Sequence, residues 1–174
     1  MKNKIRLGIL GGGGDSLIGI VHRIASSMHD KYEIIGGVFN PDFSENLKFA
    51  EEIGLNKKRI YEDYEKMIEE ELKLDENERI QVVSILTPNF LHYPMAKKLL
   101  ENNFNVICEK PMTTTYEEAK DLEKIYKSKK LTFAVTYTCG ILFWFFKYRP
   151  SSMPSCFSWR WMSIKTKSTG PRST

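Results

Sequence analysis

Residues 7–23 read LGILGGGGDSLIGIVHR, and this stretch decides the fold. It joins a short apolar run, four successive glycines and a segment whose apolar residues recur at the period of a helix. An apolar run that ends in glycine is typical of a strand buried on both faces. The stretch therefore predicts a strand, a glycine turn and a helix. Such a turn either binds the phosphates of a nucleotide or is only a flexible loop.

The same alternation continues along the chain. Apolar runs predict further strands at 33–39, 80–86, 105–108 and 131–138, and helical periods predict helices at 17–28, 45–53, 63–71, 93–101 and 115–128. In the third helix, one face is expected to carry Tyr64, Met67, Ile68 and Leu72. Alternating strands and helices imply parallel strands joined by right-handed crossovers, so the predicted fold class is α/β, a doubly wound, Rossmann-like parallel sheet.

Composition limits the classes of protein to consider. A chain of 174 residues, 41% hydrophobic and 28% charged, suits one soluble globular domain and is short for two. The three cysteines have no paired spacing, so neither a disulfide framework nor a metal site is expected. No apolar run approaches the ~20 residues of a membrane span, and the first residues lack the long apolar region and small-residue cleavage site that a secretory leader would show. We therefore expect a cytoplasmic protein that does not contact a membrane.

The character of the sequence changes after residue 138. Residues 139–174 hold all three tryptophans, six of the 26 basic residues and no acidic residue. We therefore divide the chain into a dinucleotide-binding domain at 1–138 and an atypical basic, Trp- and Ser-rich tail at 139–174 that is not an independent domain. One hypothesis makes the tail a translation out of frame. The less favoured one makes it a basic, aromatic arm for nucleic acid.

The glycine turn matches one nucleotide-binding pattern better than another. A Walker A loop closes with Gly-Lys-Ser/Thr, whereas this turn closes with Gly14-Asp15-Ser16. In a dinucleotide fingerprint, Gly11 would make the tight turn, Gly13 would meet the pyrophosphate, and Gly19 would allow the helix to pack on the strand. The turn is three residues longer than the standard pattern, and Asp15 would repel a pyrophosphate if it pointed inward.

The end of the second predicted strand bears on cofactor choice. An acidic residue there would bind the ribose 2′-hydroxyl of NAD. This chain has Asn40, with Asp42 two residues later. The cofactor is thus left as NAD or NADP, with a slight leaning towards tolerance of a 2′-phosphate.

Two more turns follow predicted strands, at the edge where ligands of such sheets bind. Thr87, Pro88, Asn89 and His92 form either a strand stop with a helix cap or a loop that touches cofactor and substrate. Glu109 and Lys110 leave a buried strand just before Pro111. They are either a solvated turn or a lysine held at a crevice, where burial can lower its pKa.

Three other residues with reactive side chains are assigned to structure. His22 and His29 lie on or just after the first helix and not at a strand end, so both are interpreted as structural. Cys108 lies within a predicted strand and is expected to be a small core residue.

The ordered set GILGGGG…GIVHR, TPNFLH and ICEKPMTTT resembles the N-terminal domain of the glucose-fructose oxidoreductase and inositol dehydrogenase family (Gfo/Idh/MocA), over about residues 4–138. The resemblance implies an NAD(P)-dependent oxidoreductase that acts on a sugar, polyol or related hydroxy compound, and oligomers in the full-length relatives. It also implies these roles: the pyrophosphate turn for Gly11, Gly13 and Gly19, the cofactor loop for Thr87, Pro88 and Asn89, and the helix edge beside it for His92. Lys110 would be the catalytic lysine at the nicotinamide ribose and the substrate hydroxyl, and Glu109 would orient it.

The family pattern breaks in the second half. Family enzymes continue into a second domain that binds substrate and supplies an Asp or His for proton transfer. This chain has no His after His92, no Asp after Asp121 and no Glu after Glu123. We therefore expect the second domain to be missing and the chain to bind nucleotide without turnover when alone. The alternative is a non-catalytic nucleotide-binding pseudoenzyme module.

Overall fold

The computed structural model describes residues 4–137. Expectations for the tail at 139–174 lie outside these residues. Within them the elements are β1 (Ile5–Gly11), α1 (Leu17–Ser27), β2 (Tyr32–Val38), α2 (Phe43–Glu52), α3 (Tyr64–Leu72), β3 (Val82–Leu86), α4 (His92–Glu101), β4 (Asn105–Glu109), α5 (Tyr116–Ser128) and β5 (Phe133–Thr136). In this part of the chain no helix has the length and apolar character needed to cross a membrane.

The strands form one parallel sheet in the order β2-β1-β3-β4-β5. A single parallel bridge adds Ile60 beside Gly37 of β2. With that bridge counted as a rudimentary strand, the order matches that of dinucleotide-binding sheets, whose third strand lies outside the second. Chain order reverses between β1 and β3, which are neighbours. The predicted doubly wound α/β sheet is confirmed.

Helices cover both faces of the sheet because alternate side chains of each strand face opposite cores. From β1, Leu7 and Ile9 join a core with Phe49 and Ala50 of α2. Leu10 joins the other core, to which α3, α4 and α5 contribute Met67, Ile68, Ala96, Leu99, Leu100 and Leu122. The Arg23 guanidinium of α1 lies 4.9 Å from the centre of the Phe49 ring, on the same face as α2.

Side-chain caps fix where four of the helices begin. The residues that accept backbone N–H groups are Ser16 before α1, Asp42 before α2, Asp63 before α3 and Thr115 before α5. Each such cap stabilises its helix by about 1 kcal/mol. Asp63 accepts from Lys66 N at 2.7 Å, and α5 begins with a full capping box to Glu118.

One acidic side chain is fully buried beneath the amino end of β3. The carboxylate of Glu71 lies 2.8 Å from Arg59 Nη2, and it accepts hydrogen bonds from Tyr61 Oη (2.6 Å) and Ile80 N (2.7 Å). Burial and the hydrogen bond to Glu71 raise the pKa of Tyr61 far above its usual value. Leu72, expected on one face with Met67 and Ile68, is 41% exposed, whereas those two and Glu71 are buried.

Candidate functional site

The three turns singled out in the sequence meet at the carboxyl edge of β1, β3 and β4. These strands are neighbours in the sheet, so the segments that follow them emerge side by side. A Cβ atom added at Gly11 would lie 3.0 Å from the backbone of Leu86 and Thr87, so the first two turns are in contact. Such an edge, next to the reversal of chain order, is where ligands bind in open α/β sheets.

The glycine turn is built on a contact between two backbones. A Cβ atom at Gly19 would lie 1.8 Å from the carbonyl oxygen of Gly12, so α1 packs directly on the turn. Arg23 Nη1 donates to that same oxygen at 2.6 Å, and burial lowers the pKa of the guanidinium. Gly12 also has φ of +69°, which favours glycine. Gly12 and Arg23 are therefore parts of the turn that the sequence analysis did not identify. The run of four glycines was the only signal for Gly12.

Gly13 and Gly14 lie in different surroundings within the turn. The Gly13 N–H donates to the carbonyl of Phe39 at 3.1 Å, and a Cβ at Gly13 would meet that oxygen at 2.7 Å. Gly13 is thus packed against the end of the β2 segment. A Cβ at Gly14 would meet no atom within 4 Å, and Asp15 beside it is exposed.

The beginning of α1 suits a phosphate group. Ser16 Oγ accepts from Gly19 N at 3.2 Å, whereas the N–H groups of Leu17 and Ile18 have no acceptor within residues 4–137. The first turn of this helix contains no acidic residue. Free N–H groups and the positive end of the helix dipole bind anions, so the groups present fit the diphosphate of a dinucleotide.

Asn40 lies just past β2, where an acidic residue would decide cofactor choice. Its Oδ1 accepts from Asp42 N at 2.9 Å. The Asp42 carboxylate caps α2, accepting from the hydroxyl and N–H of Ser44 and from Glu45 N. The Ser44 hydroxyl, followed by those N–H groups, lowers the pKa of Asp42. The Asp42 carboxylate, two residues after Asn40, is therefore already held by the helix it caps.

His92 joins the second turn to the third. Its side chain is buried, with Nε2 2.8 Å from Thr87 O and Nδ1 2.7 Å from Pro111 O. Pro88 and Asn89 are exposed and begin a short 3-10 turn. β3 ends at Leu86, just before this turn, as a strand stop requires, and Pro88 is the N-cap residue of the 3-10 turn. No side chain of the turn caps that 3-10 turn or α4.

Lys110 lies between two residues that are held in place. Its side chain is exposed, and its ammonium has no hydrogen-bond or ion-pair partner among residues 4–137. The preceding Glu109 is buried, and its Oε2 accepts from Lys110 N at 3.1 Å. The following Pro111, joined by a cis peptide bond, is held through its carbonyl by His92. Cys108 is a core residue as expected, and burial, with the charge of Glu109, raises the pKa of its thiol to about 12.

His22 lies at this site, in contact with Glu109, although it was interpreted from the sequence as a structural residue. Its Nε2 lies 2.9 Å from Glu109 Oε1, and its Nδ1 lies 3.2 Å from Ser84 Oγ. The same Glu109 oxygen accepts from Thr136 Oγ1 at 2.6 Å. No sequence signal marked Ser84 or Thr136, which are ordinary strand residues. The side chain of His29 lies outside the described residues.

Between residues 4 and 137, no three His, Cys, Asp or Glu side chains are grouped so that they could hold a metal ion. The convergent groups are backbone N–H groups, glycines, one exposed ammonium and the buried pair His22–Glu109.

Comparison with known proteins agrees with this geometry. The model of the Gfo/Idh/MocA oxidoreductase family, NAD-binding Rossmann fold, matches residues 5–137. An uncharacterized oxidoreductase, YfiI, of Bacillus subtilis (strain 168) is 34% identical over 138 residues, which are 79% of this chain and 35% of that protein.

Two solved structures share the fold over the same part of the chain. A crystal structure of an oxidoreductase from Pseudomonas syringae superposes with a TM-score of 0.75 at 36% identity, covering 79% of this chain and 37% of that one. An inositol dehydrogenase homolog from Azotobacter vinelandii, complexed with NADH and myo-inositol, gives 0.73 at 33% identity, covering 79% and 36%. The chain thus spans about a third of the length of these relatives. It belongs to the Gfo/Idh/MocA oxidoreductase family, and residues 5–137 form its NAD-binding Rossmann domain.

Proposed function

We propose that this chain binds NAD or NADP across the carboxyl edge of β1, β3 and β4. The observation that carries the proposal is the convergence of three turns: the glycine turn, the turn that begins at Thr87 (the Thr87 turn) and the turn that contains Lys110 (the Lys110 turn). Gly11 contacts the backbone of Thr87, and His92 hydrogen-bonds to carbonyls of the second and third turns. The N–H groups of Leu17 and Ile18 would hold the diphosphate.

The glycines take complementary roles in this proposal. Gly11 and Gly12 turn the chain sharply beside Leu86, and Gly19 lets α1 approach the turn. Gly13 and Gly14 bring backbone without side chains to the pyrophosphate. Thr87, Pro88 and Asn89 would line the nicotinamide side of the crevice, with His92 holding Thr87 in place.

The cofactor preference follows from the end of β2. An amide at Asn40 neither accepts two ribose hydroxyls as a carboxylate would nor repels a 2′-phosphate. The Asp42 carboxylate is engaged at the start of α2. We therefore expect NADH and NADPH to bind within roughly tenfold of each other, a difference of about 1.4 kcal/mol.

Lys110 would meet the nicotinamide ribose and the hydroxyl of a substrate. Its ammonium offers three donors, which the described residues leave unused. The bound nicotinamide would supply hydride transfer, and the transfer also requires a group that takes the proton of the hydroxyl. The myo-inositol bound by the Azotobacter homolog supports a sugar or polyol as the substrate class in longer relatives. For this chain we confine the proposal to cofactor binding.

Calorimetric titration with NADH, NADPH and ADP tests the proposal on the full chain. Micromolar binding of both dinucleotides is expected, and Lys110→Ala should weaken NADH roughly tenfold because a charged hydrogen bond is lost, while ADP changes little. Lys98→Ala, an exposed lysine near the far end of α4, is the matched control and should leave both unchanged. A folded chain that binds neither dinucleotide would show the proposal to be wrong.

A further inference from the structure

A buried hydrogen-bonded pair lies directly behind Lys110. Glu109 is the last residue of β4 and is 5% exposed. One of its oxygens meets His22 Nε2 at 2.9 Å and Thr136 Oγ1 at 2.6 Å, and the other accepts from Lys110 N at 3.1 Å. Both carboxylate oxygens therefore have partners, and one partner is the backbone of the lysine itself.

The second partner of His22 suits either charge state of the ring. The Glu109 carboxylate favours the forms of the His22 ring that carry a proton on Nε2, because the lone pair of an unprotonated nitrogen would repel the carboxylate. Nδ1 faces Ser84 Oγ at 3.2 Å, and a hydroxyl donates to a neutral ring or accepts from a charged one. The contact with Glu109 thus persists whether or not the ring is protonated.

The pair connects two turns that are far apart in the sequence. His22 and Glu109 are separated by 87 positions. His22 lies three residues after Gly19, on the helix that packs against Gly12. On the other side of Lys110, His92 holds Pro111 O and Thr87 O. The lysine backbone is therefore anchored to the glycine turn through α1 and to the Thr87 turn through α4.

Fixed backbone matters for a lysine because its four-carbon side chain is flexible. Ordering such a side chain on a ligand costs rotamer entropy, and a mobile backbone adds to this cost. An anchored backbone leaves only the side chain to be ordered when a ligand binds.

We propose that His22 is a positioning residue which, through Glu109, holds Lys110 in register with the glycine turn, so that the nicotinamide half of the cofactor binds at full strength. This inference rests on the proposed cofactor binding. It assigns to His22 a role in the site. It also predicts that substitution of His22 lowers the affinity only for ligands that reach Lys110.

The test compares NADH with ADP, which keeps the adenosine and both phosphates and lacks the nicotinamide riboside. In calorimetric titrations of the full chain, His22→Leu should weaken NADH roughly tenfold and ADP less than about twofold. His22→Gln keeps an N–H donor within reach of Glu109 and should restore most of the affinity. Glu71→Gln, a buried carboxylate at the opposite edge, is the control and should leave the ratio of the two affinities unchanged.

A second variant and a second measurement avoid dependence on one substitution. Thr136→Val keeps the shape of the side chain and removes one donor to Glu109, so NADH should weaken roughly threefold. Hydrogen exchange of the Lys110 amide, measured without ligand, should be roughly tenfold faster in His22→Leu because the N–H loses a fixed acceptor.

The outcomes separate the two proposals. Equal loss for NADH and ADP, or no loss for either, with unchanged exchange at Lys110, would overturn the positioning role and leave cofactor binding standing. A folded wild-type chain that binds neither ligand would overturn cofactor binding and the positioning role with it.

Discussion

Two buried glutamates lie at opposite edges of the same sheet and are held in different ways. Glu71, below the amino end of β3, pairs with the guanidinium of Arg59. Glu109, at the carboxyl end of β4, pairs with the imidazole of His22. A guanidinium stays charged at any ordinary pH, whereas an imidazole can lose its charge and keep its hydrogen bond.

The partners of each carboxylate also come from different distances along the chain. Arg59, Tyr61 and Ile80 all belong to the crossover from β2 to β3, so the first cluster fixes a local segment. His22 and Thr136 come from α1 and β5, so the second cluster joins opposite ends of the domain around Lys110. The comparison indicates that burial alone does not distinguish the two carboxylates, whereas the positions of their partners along the chain do.

Glu71→Ala should have the largest effect on stability. It would remove the carboxylate that pairs with the Arg59 guanidinium, which is 19% exposed and would keep only its 3.2 Å hydrogen bond to the Glu78 carbonyl among the described residues. It would also leave the N–H of Ile80 without its acceptor. Breaking a buried charge pair in this way costs about 3–5 kcal/mol. Urea unfolding measures the loss, and Glu71→Gln should recover part of it because the amide still accepts hydrogen bonds. A loss under about 1 kcal/mol would contradict the structural role given to this cluster.

Glu109→Ala should lower the free energy of unfolding less than Glu71→Ala does, because the His22 imidazole that loses its partner can be neutral. We expect a loss of about 1–3 kcal/mol in the free energy of unfolding, the cost of leaving neutral polar groups without an acceptor. The same urea experiment, run beside Glu71→Ala, gives the difference directly. If the two variants lost equal stability, the distinction between a fixed and a switchable partner would not hold.

At alkaline pH, one residue beside each buried glutamate should lower the stability of the fold. Cys108, beside Glu109, has its pKa raised to about 12, and Tyr61, bonded to Glu71, also has a raised pKa. Above their ordinary pKa values, about 8.5 for the thiol and 10 for the phenol, the unfolded chain loses protons that the folded chain keeps. Stability should therefore fall as pH rises, by up to about 1.4 kcal/mol per pH unit for each group.

Two variants separate these contributions. Between pH 8 and pH 10, Cys108→Ala should lose the part of the decrease in the free energy of unfolding that comes from the Cys108 thiol. Above pH 10, the further decrease should be smaller in Tyr61→Phe than in the wild type. Urea unfolding at pH 8, 9 and 10 checks the first, and a series that continues to pH 11 checks the second. Parallel pH profiles for wild type and Cys108→Ala would contradict the raised pKa.

The sheet and the meeting of the three turns could be predicted because apolar runs and glycine are local signals. Parallel strands bring their carboxyl ends together, so Thr87 and Lys110 could be placed near Gly11 from their order alone. The pair His22–Glu109 could not be predicted, since the two residues are 87 positions apart and no local pattern shows that their side chains meet. Glu71 follows Met67 and Ile68 at helical spacing, which was a usable signal. A carboxylate takes that inward place only where Arg59 and Tyr61 meet it, and the sequence does not show that meeting.

The contact between Gly12 and Gly19 limits how this domain can change by mutation. Most core contacts tolerate exchange, because a larger residue on one side can be matched by a smaller one on the other. Here neither side has a smaller residue available, so no second substitution can compensate for a change at either position. Divergence or redesign of this loop is therefore directed to Asp15, which is exposed to solvent, while the spacing between helix and turn stays constant. Gly14 also borders open space, but its φ of +53° favours glycine.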